Sequence, residues 1–125
     1  MKILIVEDEF FLRTVLEKKL QAEGFEVILA SDGEDAIEKI LKEVPDLILL
    51  DLILPKKNGF EVLEEIKKDP YLKEIPIIVV SNLGHELDIE RAKKLGVNDY
   101  LIKAHTSLDS VIEKIKELKE NLSKV

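Results

Sequence analysis

Glu7 and Asp8 end the apolar run Ile3-Leu4-Ile5-Val6, and Asp51 ends the run Leu47-Ile48-Leu49-Leu50. Apolar runs without alternation read as parallel strands covered on both faces. Acids placed directly after such strands gather at the carboxyl edge of the sheet, where open α/β folds bind ligands. Carboxylates sharing one crevice repel each other and normally take a cation between them. Oxygen-only donors suit a hard ion such as Mg²⁺. A Mg²⁺ site beside an accessible Asp makes phosphoryl chemistry the first candidate. Lys103 follows another apolar strand candidate, opposite these acids, and Ser81 follows Ile77-Ile78-Val79-Val80.

These residues need a scaffold that brings strand ends together. Apolar strands and amphipathic helices alternate five times along the chain. The strand candidates are 2–6, 26–30, 47–51, 76–80 and 99–102, and the helix candidates 10–23, 33–43, 59–69, 85–95 and 107–122. Gly24 and Gly96 stand where left-handed caps would close the first and fourth helices. Pro70 closes the third, and Thr106 or Ser107 can cap the start of the last. Asn58-Gly59 reads as a turn and helix start. Leu108, Val111, Ile112, Ile115 and Leu118 form one apolar stripe on the last helix. Repeated βα units predict a parallel sheet with helices on both faces, connected right-handed.

The chain has 125 residues, the size of one domain, and 46% of them are hydrophobic, enough for a core. The expectation is therefore a single domain over 1–125, with no second domain. Without cysteine there is no disulfide frame, thiol nucleophile or cysteine zinc site. The opening Met1-Lys2-Ile3-Leu4-Ile5-Val6-Glu7-Asp8 turns acidic too soon for a signal peptide, and no apolar run reaches the length of a membrane span. A cytoplasmic protein without a membrane segment is expected. The net charge of −7 argues against direct nucleic-acid binding through phosphates.

The motifs in order resemble those of a response-regulator receiver domain over nearly the whole chain. The pair Glu7-Asp8 is similar to the family's acidic pair. Asp51, within Leu49-Leu50-Asp51-Leu52-Ile53-Leu54-Pro55-Lys56-Lys57-Asn58-Gly59, matches the phosphoacceptor and its loop. Ser81 matches the hydroxyl residue ending strand four, and Tyr100 and Lys103 in Asp99-Tyr100-Leu101-Ile102-Lys103 match the switch aromatic and the site lysine.

The resemblance implies a flavodoxin-like (βα)5 fold with strand order 2-1-3-4-5. It implies that Asp51 takes a phosphoryl group from a sensor histidine kinase or a histidine phosphotransfer protein. Mg²⁺ would be held by Asp8, Asp51 and the backbone carbonyl of Ile53, with Glu7 reaching it through water. Ser81 and Lys103 would bind the phosphoryl oxygens, and Ser81 and Tyr100 would act as the switch. The output would be a changed surface on helix four, strand five and helix five, read by an unknown downstream protein. Such a chain is not an enzyme in the ordinary sense, since it catalyses only its own phosphorylation and dephosphorylation. His85 and His105 read as solvent-facing.

Three rivals fit the sequence poorly. A flavodoxin needs an uncharged phosphate loop where Glu7-Asp8-Glu9 stands, a haloacid-type phosphatase needs an acid where Ile53 stands, and no P-loop signature occurs. The remaining alternative is a pseudo-receiver, a protein-binding module that never gains phosphate. One position departs from the family pattern. Its lysine is usually followed by a cis proline, whereas Lys103 is followed by Ala104. A cis bond before a non-proline residue costs about 2.5–4 kcal/mol, so a trans Lys103–Ala104 bond is expected. Ile53 and Leu83, at the two positions the resemblance places at the mouth of the hydrolytic path, are apolar, which predicts slow self-dephosphorylation.

Overall fold

The computed structural model describes residues 1–123. Strands β1 (Lys2–Val6), β2 (Glu26–Ala30), β3 (Leu47–Leu50), β4 (Ile77–Ser81) and β5 (Asp99–Ile102) alternate with helices α1 (Phe10–Ala22), α2 (Gly33–Glu43), α3 (Gly59–Lys68), α4 (Glu86–Lys94) and α5 (Leu108–Ser123). All strand pairs are parallel, and the order is β2-β1-β3-β4-β5. This is the flavodoxin-like arrangement expected from the sequence. The three central strands are buried along nearly their whole length, which explains why they do not alternate.

Period-two geometry splits the core into two layers. Leu4, Val6, Ile48, Leu50, Ile77 and Val79 pack on one face with Ala36, Ile40, Leu63 and Ile66 of α2 and α3. Ile3, Ile5, Leu47, Leu49, Ile78 and Val80 pack on the other with Leu16, Leu20, Val111, Ile112 and Ile115 of α1 and α5. Each fully buried Leu or Ile stabilises the fold by about 1.5–3 kcal/mol relative to an exposed one. The apolar stripe of α5 points inward, with Leu108 and Leu118 at its half-covered ends.

The element ends differ from expectation in a few informative places. The ladder of β3 stops at Leu50, so Asp51 leaves the sheet, although its N–H still donates to the Val6 carbonyl at 3.0 Å. At the other end β4 starts one residue late, because Pro76 has no N–H, and runs on through Ser81, which pairs with Ile102. A 3-10 turn, Lys103–His105, follows β5, and among the described residues no peptide bond is cis. The Lys103–Ala104 bond is therefore trans, as expected. Gly24 and Gly96 adopt φ 91° and 90°, as the cap reading required. The end of α2 carries no such signal: Val44 takes φ 43° there, a costly conformation for a β-branched residue. Ser107 Oγ accepts the Ser110 N–H at 3.1 Å, which makes Ser107 the cap of α5.

The loop from Asp51 to α3 is held by a reciprocal cap and a close approach. Asn58 Oδ1 accepts the Glu61 N–H at 3.0 Å, and Glu61 Oε1 accepts the Asn58 N–H at 3.2 Å. Gly59 then lies so close to the loop's start that a Cβ there would meet the Asp51 carbonyl oxygen and the Leu52 Cα at 2.5 Å. Both obstacles are backbone and cannot rotate away. Gly59→Ala is therefore expected to lower stability by about 1–3 kcal/mol, as overpacking does. Urea unfolding measures this, and an unchanged midpoint would mean that the loop yields freely.

Candidate functional site

Parallel registry puts the ends of β1, β3, β4 and β5 side by side, and the chemistry sits on that edge. Val6 pairs with Leu50, so Glu7 and Asp51 emerge together. Ser81 pairs with Ile102, so the residues that follow them, Asn82 and Lys103, also emerge together. Glu7 and Asp51 are 3% and 4% exposed, Ser81 is fully buried, and Asp8 is open to solvent.

Both oxygens of Asp51 are engaged. Ser81 Oγ donates to Oδ1 at 2.7 Å, and the Ile53 N–H donates to the same oxygen at 3.0 Å. Lys103 Nζ donates to Oδ2 at 2.6 Å. The same ammonium stands 2.6 Å from Glu7 Oε1. Glu7 Oε2 accepts the Glu9 N–H at 3.0 Å. The Glu7 carbonyl accepts from Arg13 Nη1 at 2.8 Å, which fastens the start of α1 to the site.

Burial is the strongest influence on Glu7 and pushes its carboxyl up, only partly opposed by the bonds from Lys103 and the Glu9 N–H. Burial alone would lower the Lys103 ammonium, but its bonds to Asp51 and Glu7 outweigh this and raise it. The lysine thus stays charged between two acids. Burial likewise raises the Tyr100 phenol, which keeps its proton as a donor.

Oxygens of Glu7, Asp8 and Asp51 lie within 4.8 Å of one another. One ammonium against three carboxylates leaves formal negative charge for a divalent cation to balance. The donors are all hard oxygens, and exposed Asp8 supplies an entrance, so the set fits Mg²⁺ or a similar ion.

A second chain of contacts runs away from Asp51. The Leu83 N–H donates to Ser81 Oγ at 3.2 Å, and the Tyr100 hydroxyl donates to the Leu83 carbonyl. The sequence residues Glu7, Asp8, Asp51, Ser81 and Lys103 therefore converge at one place, with Ile53 against Asp51 and Tyr100 linked through Leu83. His85 and His105 are exposed and lie outside the cluster. His85 Nδ1 accepts the Leu87 N–H at 3.2 Å and caps α4. Sequence reasoning missed Asn82, whose Oδ1 accepts the Ala104 N–H at 3.0 Å. The only signal was a polar residue directly after Ser81.

Residues 3–116 match the family model of the response regulator receiver domain. The probable transcriptional regulator ycf27 of Guillardia theta is 41% identical over 102 residues, covering 82% of this chain and 39% of that protein. The chain thus spans about two fifths of the length of such curated relatives. The structure of the phosphorylated cyanobacterial phytochrome response regulator RcpA is 39% identical, with a TM-score of 0.82 over 99% of this chain and 95% of that one. The Mn²⁺-bound form of response regulator Rcp1 is 38% identical, with a TM-score of 0.79 over 87% of this chain and 85% of that one. The sheet order, the strand-end acids and the match over residues 3–116 agree: the chain belongs to the response regulator receiver domain family.

Proposed function

We propose that this receiver takes a phosphoryl group onto Asp51 from a partner's phosphohistidine and signals through its altered surface. The observation that carries the reading is the set of contacts at Asp51, whose carboxylate has a lysine on one oxygen and a hydroxyl on the other. A carboxylate oxygen attacks phosphorus, the histidine N–P bond breaks, and the imidazole leaves with a proton. The product is an acyl phosphate. Lys103 follows the charge from the carboxylate onto a phosphoryl oxygen, and Ser81 turns its hydroxyl toward another. Asp8, Asp51 and the Ile53 carbonyl would hold Mg²⁺, with Glu7 acting through water. The ion would offset charge on the carboxylate and phosphoryl oxygens. The donor is a sensor histidine kinase or a histidine phosphotransfer protein in the cytoplasm, and catalysis is confined to the chain's own phosphorylation and dephosphorylation.

The contacts from Asp51 to Tyr100 give the signal a route. When Ser81 turns toward the phosphoryl group, its bond to the Leu83 N–H changes, and with it the carbonyl that Tyr100 holds. Tyr100 lies on β5 and packs on the side that Ala92 of α4 covers, and the surface of α4, β5 and α5 is the one that would meet the downstream protein. Among the described residues no helix is long and apolar enough to cross a membrane.

Acetyl phosphate with Mg²⁺ should add one phosphate to the parent protein and none to Asp51→Asn, as read by intact mass. A parent that gains no phosphate would favour the pseudo-receiver, and phosphorylated Asp51→Asn would move the acceptor elsewhere.

Millimolar Mg²⁺ should raise the melting temperature at neutral pH, and Asp8→Ala should remove most of that rise. The pH dependence follows from Glu7. Its carboxyl is raised from the ordinary 4.5, so its favourable contribution is present below 4.5 and lost as pH rises through the folded value. Burial therefore makes the Glu7 charge unfavourable in the metal-free fold wherever the group is ionised, and Mg²⁺ would relieve it. Acidification through the folded value should shrink the Mg²⁺ effect. Melts insensitive to Mg²⁺ at every pH would contradict the metal assignment.

Decay of the acyl phosphate should be slow. Ile53 is 54% exposed and Leu83 half-buried, and neither can orient a water by hydrogen bonding. Ile53→Asn combined with Leu83→Glu should speed phosphate loss by roughly tenfold or more, about 1.4 kcal/mol of barrier. Phosphate loss within seconds from the parent, or no acceleration in the double variant, refutes the idea.

A further inference from the structure

We infer that Asn82 is a positioning residue that sets Lys103 and Ser81 at the spacing Asp51 requires. This rests on the reading of Asp51 as phosphoryl acceptor. The two side-chain donors to Asp51 come from the ends of neighbouring strands whose ordered pairing stops at Ser81 and Ile102. Beyond that point the sheet no longer fixes the distance between the chains. Lys103 opens a 3-10 turn, in which Thr106 donates to the Lys103 carbonyl at 3.3 Å. The first N–H groups of such a turn point away from its own acceptors. Ala104 N–H is one of these, and Asn82 Oδ1 takes it at 3.0 Å.

Packing contributes little to holding this turn. Asn82, Ala104 and His105 are exposed. The turn borders an open groove of about 350 Å³ between the start of α1 and the start of α5, lined in part by Phe11, Leu12, Asn82, Lys103 and Ala104. Lysine carries a flexible four-carbon stem, so the aim of its ammonium depends on how firmly its backbone is placed. The Asn82 side chain joins the residue after Ser81 to the residue after Lys103. One amide therefore ties together the backbones behind both side-chain donors to the acceptor carboxylate.

The bond needs an amide oxygen at 82 and an N–H at 104. Asn82→Ala removes the first, and Ala104→Pro removes the second while keeping φ in the range a 3-10 turn uses. In the parent background Asn82→Ala should slow phosphorylation by acetyl phosphate about threefold to tenfold, the effect of one neutral hydrogen bond. In the Ala104→Pro background, and again in the Lys103→Met background, the same substitution should change the rate less than twofold. The ¹H–¹⁵N signal of the Lys103 ammonium, retained only while its protons are held in hydrogen bonds, should weaken in Asn82→Ala without phosphate or metal present. Melting temperatures identify any general loss of fold. Equal slowing in all three backgrounds, or an unchanged Lys103 signal, overturns the inference and leaves Asn82 an ordinary surface side chain. If the parent takes no phosphate, the acceptor reading fails instead, and the Lys103 signal still decides the positioning role.

Discussion

The arrangement depends on one half-buried ammonium held between two buried carboxylates. Lys103 meets Asp51 and Glu7 at 2.6 Å each, at the carboxyl edge of the sheet, where these strands end together. Removing a partner from such a set leaves a charge uncompensated in a poor solvent for it, which costs far more than the pair itself contributes. The β1 end, the β3 end and the β5 turn are thereby bound to one another by charge as well as by sheet hydrogen bonds. The balance is still incomplete, because exposed Asp8 adds a further acid. That residual negative charge makes the edge receptive to a cation, and under the proposed function the cation would let it accept a phosphoryl group.

The fold supplies this edge by ordinary means. Central strands apolar on both faces force helices onto both sides, and right-handed crossovers then bring every strand to the same carboxyl edge. Polar residues cannot be placed within such strands, so they collect directly after them. Ser81 is the exception that shows the rule. It lies inside β4 and is fully buried, but its hydroxyl is satisfied by Asp51 and by the Leu83 N–H.

Much of this could be read from the sequence because the informative signals are local. Four apolar residues followed by an acid mark both a strand and its functional end, as at Val6–Glu7 and Leu50–Asp51. Glycines at helix ends marked α1 and α4 for the same reason. The signals that failed are those decided by distant partners. Ser81 belongs to β4 because Ile102 pairs with it, and β3 ends at Leu50 although the Asp51 N–H still reaches the Val6 carbonyl. Val44 closes α2 in a conformation its residue type disfavours, so no composition rule would find it. Asn82 and Ala104 are 22 positions apart, and nothing in either residue announces the other.

The segment from Ser81 to Gly84 concentrates these distant dependencies. Ser81 binds Asp51, Asn82 binds the turn behind Lys103, and Leu83 offers its N–H to Ser81 and its carbonyl to Tyr100. Gly84 packs so near β5 that a Cβ would stand 3.2 Å from Ile102 Cδ1. Each successive residue is tied to a different part of the site or of β5. A shift of Ser81 cannot be absorbed locally, because the neighbours that would absorb it are already fixed elsewhere. Beyond this segment the constraint relaxes, since α4 buries only Ala92 completely. Under the proposed phosphorylation, a displacement at Asp51 would pass along this tied segment to α4 rather than be absorbed within it. The proposed reading of a change at Asp51 through α4 and β5 rests on that contrast in packing more than on any single contact.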